Sequence, residues 1–177
     1  MTMPANQPYT TSPLELEQRA ELLYALGLTA PDRELDDFAV RLSHAAGVPY
    51  AMVNVFGSEQ QFVGLATPMG GELPTVGRSM PLDHGFCPAV VDKKLALVLP
   101  SVYVAPRFGA NPVVDLIGIR TYAGAPLIHE GIVLGTVCFV GLQEQPDSAG
   151  HAMLALIKAH RDAVMNFIHR RAGYLPQ

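Results

Sequence analysis

The amino-acid sequence predicts an α+β fold, an α/β sandwich in which helices cover one face of a central antiparallel sheet. Apolar residues recur at three- and four-residue steps near both ends of the chain, a spacing typical of helices. The middle of the chain holds short runs rich in β-branched and aromatic residues, which are typical of strands. Several of these runs are joined by turns too short for a crossover helix, so neighbouring strands are expected to pair antiparallel.

Length and composition restrict the classes of protein that this chain can represent. Its 177 residues suggest one domain, and a hydrophobic content of 49% with 16% charged residues argues against intrinsic disorder. A net charge of −4 argues against a general nucleic-acid binder, which needs a basic surface. No signal peptide and no apolar run of membrane-spanning length is visible. We therefore expect a cytoplasmic protein that binds neither a membrane nor nucleic acid.

Two helices are predicted before the sheet. Ser12 opens a capping box, and the helix that follows is expected to end at Gly27. A second start signal, Thr-Ala-Pro-Asp at residues 29–32, precedes a helix that is expected to end at Gly47. The apolar positions of the first helix follow helical spacing and are Leu16, Ala20, Leu23 and Leu26.

Five strands are predicted in the middle of the chain. Their ranges are 48–56, 60–66, 95–101, 119–128 and 132–142. Two irregular segments, 67–93 and 102–118, separate some of them, and the first includes a short helix capped by Asp83. We expect both segments on the face of the sheet opposite the helices, since a long loop in a compact domain often covers a pocket.

A long helix closes the chain. Asp147 or Ser148 is its predicted N-cap, and the helix is expected to run to about Arg171. The predicted organisation is a flexible tail, an N-terminal helix, one domain that includes the terminal helix, and a second tail. These parts span residues 1–11, 12–28, 29–172 and 173–177.

Five sequence segments, taken in order, resemble a bacterial GAF domain: VPYAMVNVF, PLDHGFCPAVV, APRFGANPVV, GIRTYAGAPLI and GIVLGTVCFVG. The similarity covers roughly residues 35–168. It implies a PAS-like sheet of five or six antiparallel strands, helices on one face, and a small-molecule pocket between the other face and the loops. It also implies a sensory or regulatory role, since members of the family sense cyclic nucleotides, haem-bound gases, bilins or small metabolites, and many bind no known ligand.

Nine side chains are the candidate ligand-binding residues under this resemblance. They are Asp83, His84, Phe86, Cys87, Phe108, Asn111, Arg120, Tyr122 and Cys138. Arginine, asparagine and a helix N-terminus suit a phosphate, and aromatic rings suit stacking on a ligand. The structural alternative is an arginine that ties the loop down, a phenylalanine that fills it and an asparagine that forms a turn. The further residue pattern of the cyclic-nucleotide branch is absent, so that ligand is not expected.

The two cysteines allow a chemical and a structural interpretation. A reactive cysteine needs a lowered pKa, and Cys87 lies near the start of a short helix, three residues after His84. The alternative, which we favour, is that the thiols of Cys87 and Cys138 pack as small hydrophobic groups. One branch of the resembled family reduces free methionine sulfoxide with a cysteine in the segment that corresponds to 118–122, and that segment, GIRTY, has none. We therefore predict no catalytic residue.

The sequence requires no cofactor. His84 is the best-placed histidine for haem or bilin, but no attachment signature surrounds it. The three histidines of the terminal helix are nine residues apart, so successive ones point to opposite sides and predict no metal site. They are His151, His160 and His169.

Surplus apolar surface on the first and last helices predicts a partner. Leu154, Leu156 and Met165 lie partly off the main stripe of the terminal helix, which favours a homodimer through a helical bundle over an ordinary core helix. The chain is thus expected to be a non-catalytic sensory domain that binds an unidentified small molecule, pairs with itself and acts on a kinase or response regulator in trans. Two alternatives stay open: a thiol-based enzyme of the free methionine sulfoxide reductase type, and a ligand-free dimerisation module.

Overall fold

Six antiparallel strands form the sheet in the computed structural model, which describes residues 11–174. The strands are β1 (Tyr50–Phe56), β2 (Gln60–Ala66), β3 (Ser79–Met80), β4 (Leu97–Leu99), β5 (Thr121–His129) and β6 (Ile132–Gly141). Their order across the sheet is β3-β2-β1-β6-β5-β4. The pairs β1–β2 and β5–β6 are hairpins, and the β1–β6 pair joins them at the centre. The predicted α+β class with five or six antiparallel strands is confirmed.

Helices lie on both faces of the sheet, but the long ones share one face. The helices are α1 (Pro13–Ala25), α2 (Arg33–Ala46), α3 (Cys87–Lys93), α4 (Pro106–Gly109), α5 (Pro112–Ile117) and α6 (Gly150–Arg171). The buried residues of α1, α2 and α6 pack in one core cluster, and those of α3, α4 and α5 pack in a second cluster on the other side. We call these two sides the helix face and the roof face, and residues 67–93 and 102–118 together the roof.

Side-chain caps start the first two helices, as predicted. The Ser12 hydroxyl accepts a hydrogen bond from the backbone N–H of Glu15. The Asp32 carboxylate accepts from the backbone N–H groups of Glu34 and Leu35. Both caps satisfy donors that the first helical turn would otherwise leave unpaired.

The predicted start of α3 is wrong. The helix begins at Cys87 rather than near Asp83, and no side chain caps it. Gly85 has a left-handed backbone conformation, with a φ of 78°, which a right-handed helix cannot include. The Asp83 carboxylate pairs with Nδ1 of His84 instead, at 2.9 Å.

The predicted cap of α6 is also wrong. The residues Asp147–Ala149 form a 3-10 turn, and α6 begins after it at Gly150 without a side-chain cap. The helix therefore ends at the predicted Arg171 but starts slightly later than expected.

The second roof segment is more regular than its sequence suggested. It contains α4 and α5 in addition to a 3-10 turn at 102–104. Pro106 and Pro112 each open a helix, where the missing N–H has no intrahelical partner to lose. Asn111 caps α5 by accepting from the backbone N–H of Val113. The two prolines thus mark helix starts within a segment that was predicted to be irregular.

One strand supplies both faces of the sheet. Alternate residues of β1 pack in the aliphatic core of the helix face: Ala51, Val53 and Val55. The residues between them face the roof: Tyr50, Met52, Asn54 and Phe56. Every aromatic, sulfur-bearing or amide side chain of this strand therefore lies on the roof face.

Close contact fixes α2 on the helix face. A Cβ at Gly64 of β2 would lie 2.5 Å from the carbonyl oxygen of Leu35, so a side chain there would push the helix away. The carboxylate of Asp36 accepts from the backbone N–H of Leu65 at 2.8 Å. It also forms a bidentate pair with Arg78, at 2.8 and 3.0 Å, and this ties α2 to the roof.

The two terminal helices differ from their predicted burial in opposite directions: α1 buries less of its apolar stripe, and α6 buries more of the residues expected to lie off its stripe. In α1 two predicted stripe residues are buried and two are exposed, namely Leu23 and Leu26, and Leu16 and Ala20. Arg19 is buried instead, and its Nε donates to the carbonyl oxygen of Val133 at 2.5 Å. In α6 Met165 belongs to the helix-face core, and Leu156 packs partly against it.

The predicted tails fall mostly outside the described residues, which begin at 11 and end at 174. Within that range Tyr174 packs on the rings of His129 and His169, with ring centroids 5.0 and 5.7 Å away. None of the helices between residues 11 and 174 is long and apolar enough to cross a membrane.

Candidate functional site

A cavity of about 250 Å³ lies between the roof face of the sheet and the roof. Its floor comes from β1, β2, β5 and β6, and its upper wall comes from α3, α5 and residues 76–85. Apolar side chains form much of the wall, including Phe62, Val113, Ile117 and Ile119. Exposed residues near Gly77 and Ser79 mark its mouth.

Strand register fixes the floor of the cavity. The cross-strand pairs of β1 and β6 that face the roof are Tyr50–Val140, Met52–Cys138 and Asn54–Thr136. On the other side of β6, Tyr122 of β5 lies opposite Val140. Because side chains at directly opposed positions lie side by side, this register brings sulfur, amide and hydroxyl groups together at the centre of the sheet.

The two thiols meet at this floor. Cys87 projects from the first turn of α3, and its Sγ accepts a hydrogen bond from Oγ1 of Thr136 at 3.1 Å. The same sulfur lies 3.2 Å from the hydroxyl oxygen of Tyr122. Cys138 lies on the same floor, and its Sγ is 3.9 Å from Sδ of Met52. Both cysteines are free and buried.

These contacts make the two thiols chemically unequal. The hydrogen bond from Cys138 lowers the pKa of Cys87 to about 7, against the effect of burial, and donors on Thr136, Tyr122 and Asn54 lower it further. The same contact, together with burial, raises the pKa of Cys138. Burial and the neighbouring thiols also raise the pKa of Tyr122. Cys87 is thus the cysteine of the pair with the greater thiolate character.

A chain of amides links β1 to the roof. Nδ2 of Asn54 donates to Oε1 of Gln60 at 2.8 Å, and both side chains are fully buried. Nε2 of Gln60 donates in turn to the backbone oxygens of Pro81 and His84, at 2.8 and 2.7 Å. Both N–H groups of the Gln60 side chain donate to backbone carbonyls, so its oxygen must face Asn54. This arrangement fixes the orientation of both side-chain amides. Oδ1 of Asn54 then has no hydrogen-bond partner among the described residues.

Tyr122 reaches Cys87 by lying along the sheet. A Cβ at Gly124, two residues further along the same face, would lie 2.0 Å from the Tyr122 hydroxyl oxygen and 2.6 Å from Cζ. The ring also packs on Phe86, with centroids 5.1 Å apart. Glycine at position 124 therefore leaves the space that the ring occupies.

Four of the nine predicted site residues line the cavity, and the others surround it. The lining residues are Phe86, Cys87, Tyr122 and Cys138. Asp83 and His84 pair with each other and are outside the lining. Only the backbone of His84 contacts the amide chain below, through its carbonyl oxygen.

The remaining three residues hold the roof in place. Asn111 forms two hydrogen bonds with the backbone of Gly85, accepting from its N–H at 3.0 Å and donating to its oxygen at 2.7 Å. Nη1 of Arg120 donates to the backbone oxygens of Val114 and Ile119, at 3.2 and 2.9 Å.

Phe108 has an equally structural environment. Its ring packs edge-on against Phe86 with centroids 6.0 Å apart, and the Arg107 guanidinium lies 4.4 Å above it. Phe108, Asn111 and Arg120 thus occupy the structural roles that formed the alternative interpretation of the sequence.

Sequence reasoning missed the part of the floor that β1 contributes. Tyr50, Met52 and Asn54 line the cavity, yet none was a candidate. A signal for them existed, because the larger and polar residues of VPYAMVNVF alternate strictly with small aliphatic ones. Only the face that they occupy could not be deduced.

Metal-ligating side chains do not gather at this site. Across residues 11–174 no group of three or more His, Cys, Asp or Glu side chains could hold a metal ion. The histidines at 151, 160 and 169 lie along α6, and His169 contacts His129, with 2.9 Å between Nε2 and Nδ1.

The sequence model of the GAF domain matches residues 30–159, which is most of the chain. Among curated proteins, no sequence matches.

Several solved structures share the fold at low sequence identity. A type II free methionine-R-sulfoxide reductase from Thermoplasma acidophilum is 13% identical, with a TM-score of 0.56 over 89% of this chain and 96% of that one. The nlh2 GAF domain of A. aeolicus in an inactive state is 16% identical, with a TM-score of 0.60 over 89% and 96%. A putative GAF sensor protein from Burkholderia vietnamiensis is 16% identical, with a TM-score of 0.56 over 90% and 99%.

Proposed function

The chain belongs to the GAF domain family, and from this premise we propose that it is a sensory or regulatory domain that binds a small molecule without chemically changing it. The observation that carries the proposal is the cavity of about 250 Å³ between the sheet and the roof. Few cavities of this size are left in a well-packed domain without a use, because packing defects are costly. Four lining residues, Phe86, Cys87, Tyr122 and Cys138, are proposed as ligand contacts. Asp83, His84, Phe108, Asn111 and Arg120 are proposed to set the position of the roof.

The sheet offers a route from the cavity to the helices. Cys138 and Val140 line the cavity, while Val137 and Phe139 on the same strand pack against the helix-face core. A ligand that displaces the roof or the floor would therefore bias the packing of α1 and α6, which we propose as the signal.

A homodimer through α1 and α6 is part of the proposal. Leu14, Leu16 and Tyr24 of α1 are 64%, 41% and 80% exposed, an apolar surface that a second copy would cover.

We propose a kinase or response regulator in trans as the recipient of the signal. Two free thiols support a reducing compartment such as the cytoplasm.

Native mass spectrometry with an absorption spectrum of freshly purified protein tests the proposal. The expected result is a dimer that carries a small molecule, with roof amide signals and association state that change when that molecule is removed. Identical roof signals and association state in both forms would contradict signalling. A cavity that binds nothing would favour a ligand-free dimerisation module.

A second candidate function is a thiol-based reductase. The observation in its favour is that Cys87, with its lowered pKa, and a second thiol, that of Cys138, line the same cavity. Two thiols can reduce a sulfoxide to a thioether, forming one disulfide and one water. Against this candidate, no Asp, Glu, Lys, Arg or His side chain lines the cavity to pair with the ammonium and carboxylate groups of a free amino acid.

Single substitutions separate the two functions. We expect no thiol-dependent consumption of free methionine sulfoxide by the unmodified protein. If consumption is measured and is abolished by Cys87→Ser and by Cys138→Ser, the reductase replaces the sensor as the preferred function.

A further inference from the structure

The fully buried side chain of Asn54 has a specific unmet requirement. Its Nδ2 is engaged by Gln60, whose own contacts with two roof carbonyls leave the Asn54 amide no alternative orientation. Oδ1 has no partner among the described residues, although Asn54 lines the cavity. An acceptor that is buried without a donor costs about 1–3 kcal/mol, so a ligand whose donor enters far enough to reach Oδ1 would be stabilised.

The cavity has no carboxylate and no cationic side chain in its lining. None of its lining residues is Asp, Glu, Lys, Arg or His. The nearby charged side chains already have partners. Arg120 donates to two backbone oxygens, Asp83 pairs with His84, and Arg78 pairs with Asp36. An anionic ligand group would therefore lose its hydration without gaining a cationic partner.

Volume limits the size of the molecule. An apolar cavity of about 150 Å³ accommodates benzene, so by proportion this cavity accommodates roughly ten non-hydrogen atoms. Aromatic rings of Phe62, Phe86 and Tyr122 line it and suit a flat, apolar ligand.

We infer that the cavity binds an uncharged, mostly apolar molecule of about this size that donates one hydrogen bond to Oδ1 of Asn54. This inference rests on the proposed ligand-binding function and names its ligand class. It separates the chain from proteins that bind an amino acid, a cyclic nucleotide or a tetrapyrrole, since the first two are charged and the last is far larger than the cavity. The ring of the ligand would lie among Phe62, Phe86 and Tyr122, and its donor would face β1.

Three small probes test the inference on the unmodified 177-residue chain. Indole has the required size and one N–H donor, benzofuran has the same shape with an oxygen in place of that N–H, and indole-2-carboxylate adds a negative charge. Binding is measured by calorimetry and by the amide shifts of the roof. We expect indole to bind at least about tenfold more tightly than benzofuran, and indole-2-carboxylate to bind most weakly.

Substitutions test whether Asn54 causes the preference for a ligand with a hydrogen-bond donor. Asn54→Leu keeps the approximate size of the side chain and removes the acceptor, so indole and benzofuran should then bind equally. Ser79→Ala, which changes another polar lining residue, should leave the preference intact. If Asn54→Leu does not fold, the comparison of probes on the unmodified protein still decides the question.

The outcomes distinguish this inference from the proposed function. Equal binding of indole and benzofuran to the unmodified protein would overturn the role of Asn54, and tighter binding of indole-2-carboxylate would overturn the uncharged class. Either result leaves a ligand-binding cavity in place. Failure of all three probes to bind would overturn the inferred ligand class but not the proposed function, which native mass spectrometry of the purified protein tests separately.

Discussion

The two faces of the sheet differ in chemistry although the same strands build them. The helix face is mainly aliphatic, with residues such as Leu35, Leu42, Leu127 and Ile157 fully buried between the sheet and the long helices. The roof face carries aromatic rings, sulfur atoms and a buried amide chain, and it encloses the cavity. The difference suggests that the helix face provides most of the stability, while the roof face sacrifices close packing for a binding site.

The largest loss of stability is expected when a core side chain on the helix face is truncated. Leu35→Ala should lower the free energy of unfolding by about 2–5 kcal/mol, because a fully buried leucine leaves a cavity under a helix that touches the sheet backbone. Ile117→Ala, in the cavity wall, should cost less than about 2 kcal/mol, since Ile117 is only half-buried and already borders a void. Urea unfolding measures both values.

Ligand affinity should respond in the opposite order. Ile117→Ala should weaken indole binding, and Leu35→Ala should leave it nearly unchanged under conditions where the protein is folded. Equal stability losses in the two variants would show that the faces do not divide stability and binding.

A glycine substitution sharpens the comparison on the roof face. Gly124→Ala should lower the free energy of unfolding by about 1–3 kcal/mol, because the new methyl group would overlap the buried Tyr122 ring. Gly77→Ala is the matched control, since a Cβ there meets no atom within 4 Å, and its effect should be within about 0.5 kcal/mol. Thermal unfolding compares the two variants. An unchanged free energy of unfolding in Gly124→Ala would show that the Tyr122 ring does not require the space beside residue 124.

Thiol labelling probes the asymmetry within the roof face. Iodoacetamide should modify Cys87 at least about tenfold faster than Cys138 at neutral pH, because the pKa of Cys87 is lowered to about 7 and that of Cys138 is raised. The rate at Cys87 should rise with pH through that value. Cys138→Ala removes the largest cause of the lowered pKa, so the midpoint should move to higher pH. Peptide mapping by mass spectrometry reads out each site, and faster modification of Cys138 would contradict the assignment.

The smallest expected effect is a pH dependence that belongs to the helix side. Burial is the main cause that lowers the pKa of both His160 and His169 on α6, with Arg41 adding to it at His160 and His129 adding to it at His169. The unfolded chain therefore takes up protons that the folded chain does not, and stability should fall as pH falls through about 6.5. His160→Gln with His169→Gln should flatten urea midpoints between pH 7.5 and 5.5, whereas the exposed His151→Gln should not. The carboxyl groups of Asp83 and Asp32 change stability only at lower pH, because their pKa values are lowered from 3.8.

The fold was largely predictable because its signals are local. The caps at Ser12 and Asp32, the hairpin turns and the alternating strands each act within a few residues. β3 escaped detection because two residues carry no periodicity, and it exists through pairing with the edge of β2. α3 was misplaced because Gly85 adopts a left-handed conformation that its sequence allows but does not require.

The candidate site was predictable only in part, because it depends on long-range register. Cys87 and Cys138 were named, but nothing local indicates that α3 brings one thiol to the other. Met52 and Asn54 reach the site only through pairing of β1 with β6. Arg120 and Asn111 have the chemistry of ligand contacts, yet nearby backbone groups satisfy them first.

The central β1–β6 pairing has a further consequence for folding kinetics. It joins residues 80–90 positions apart, whereas each hairpin joins near neighbours in sequence. Loop closure over that length delays the pairing until after the hairpins form, and the cavity floor is complete only once it has formed. A molecule bound there would make no contacts in an early transition state, so it should slow unfolding while leaving the rate of folding almost unchanged.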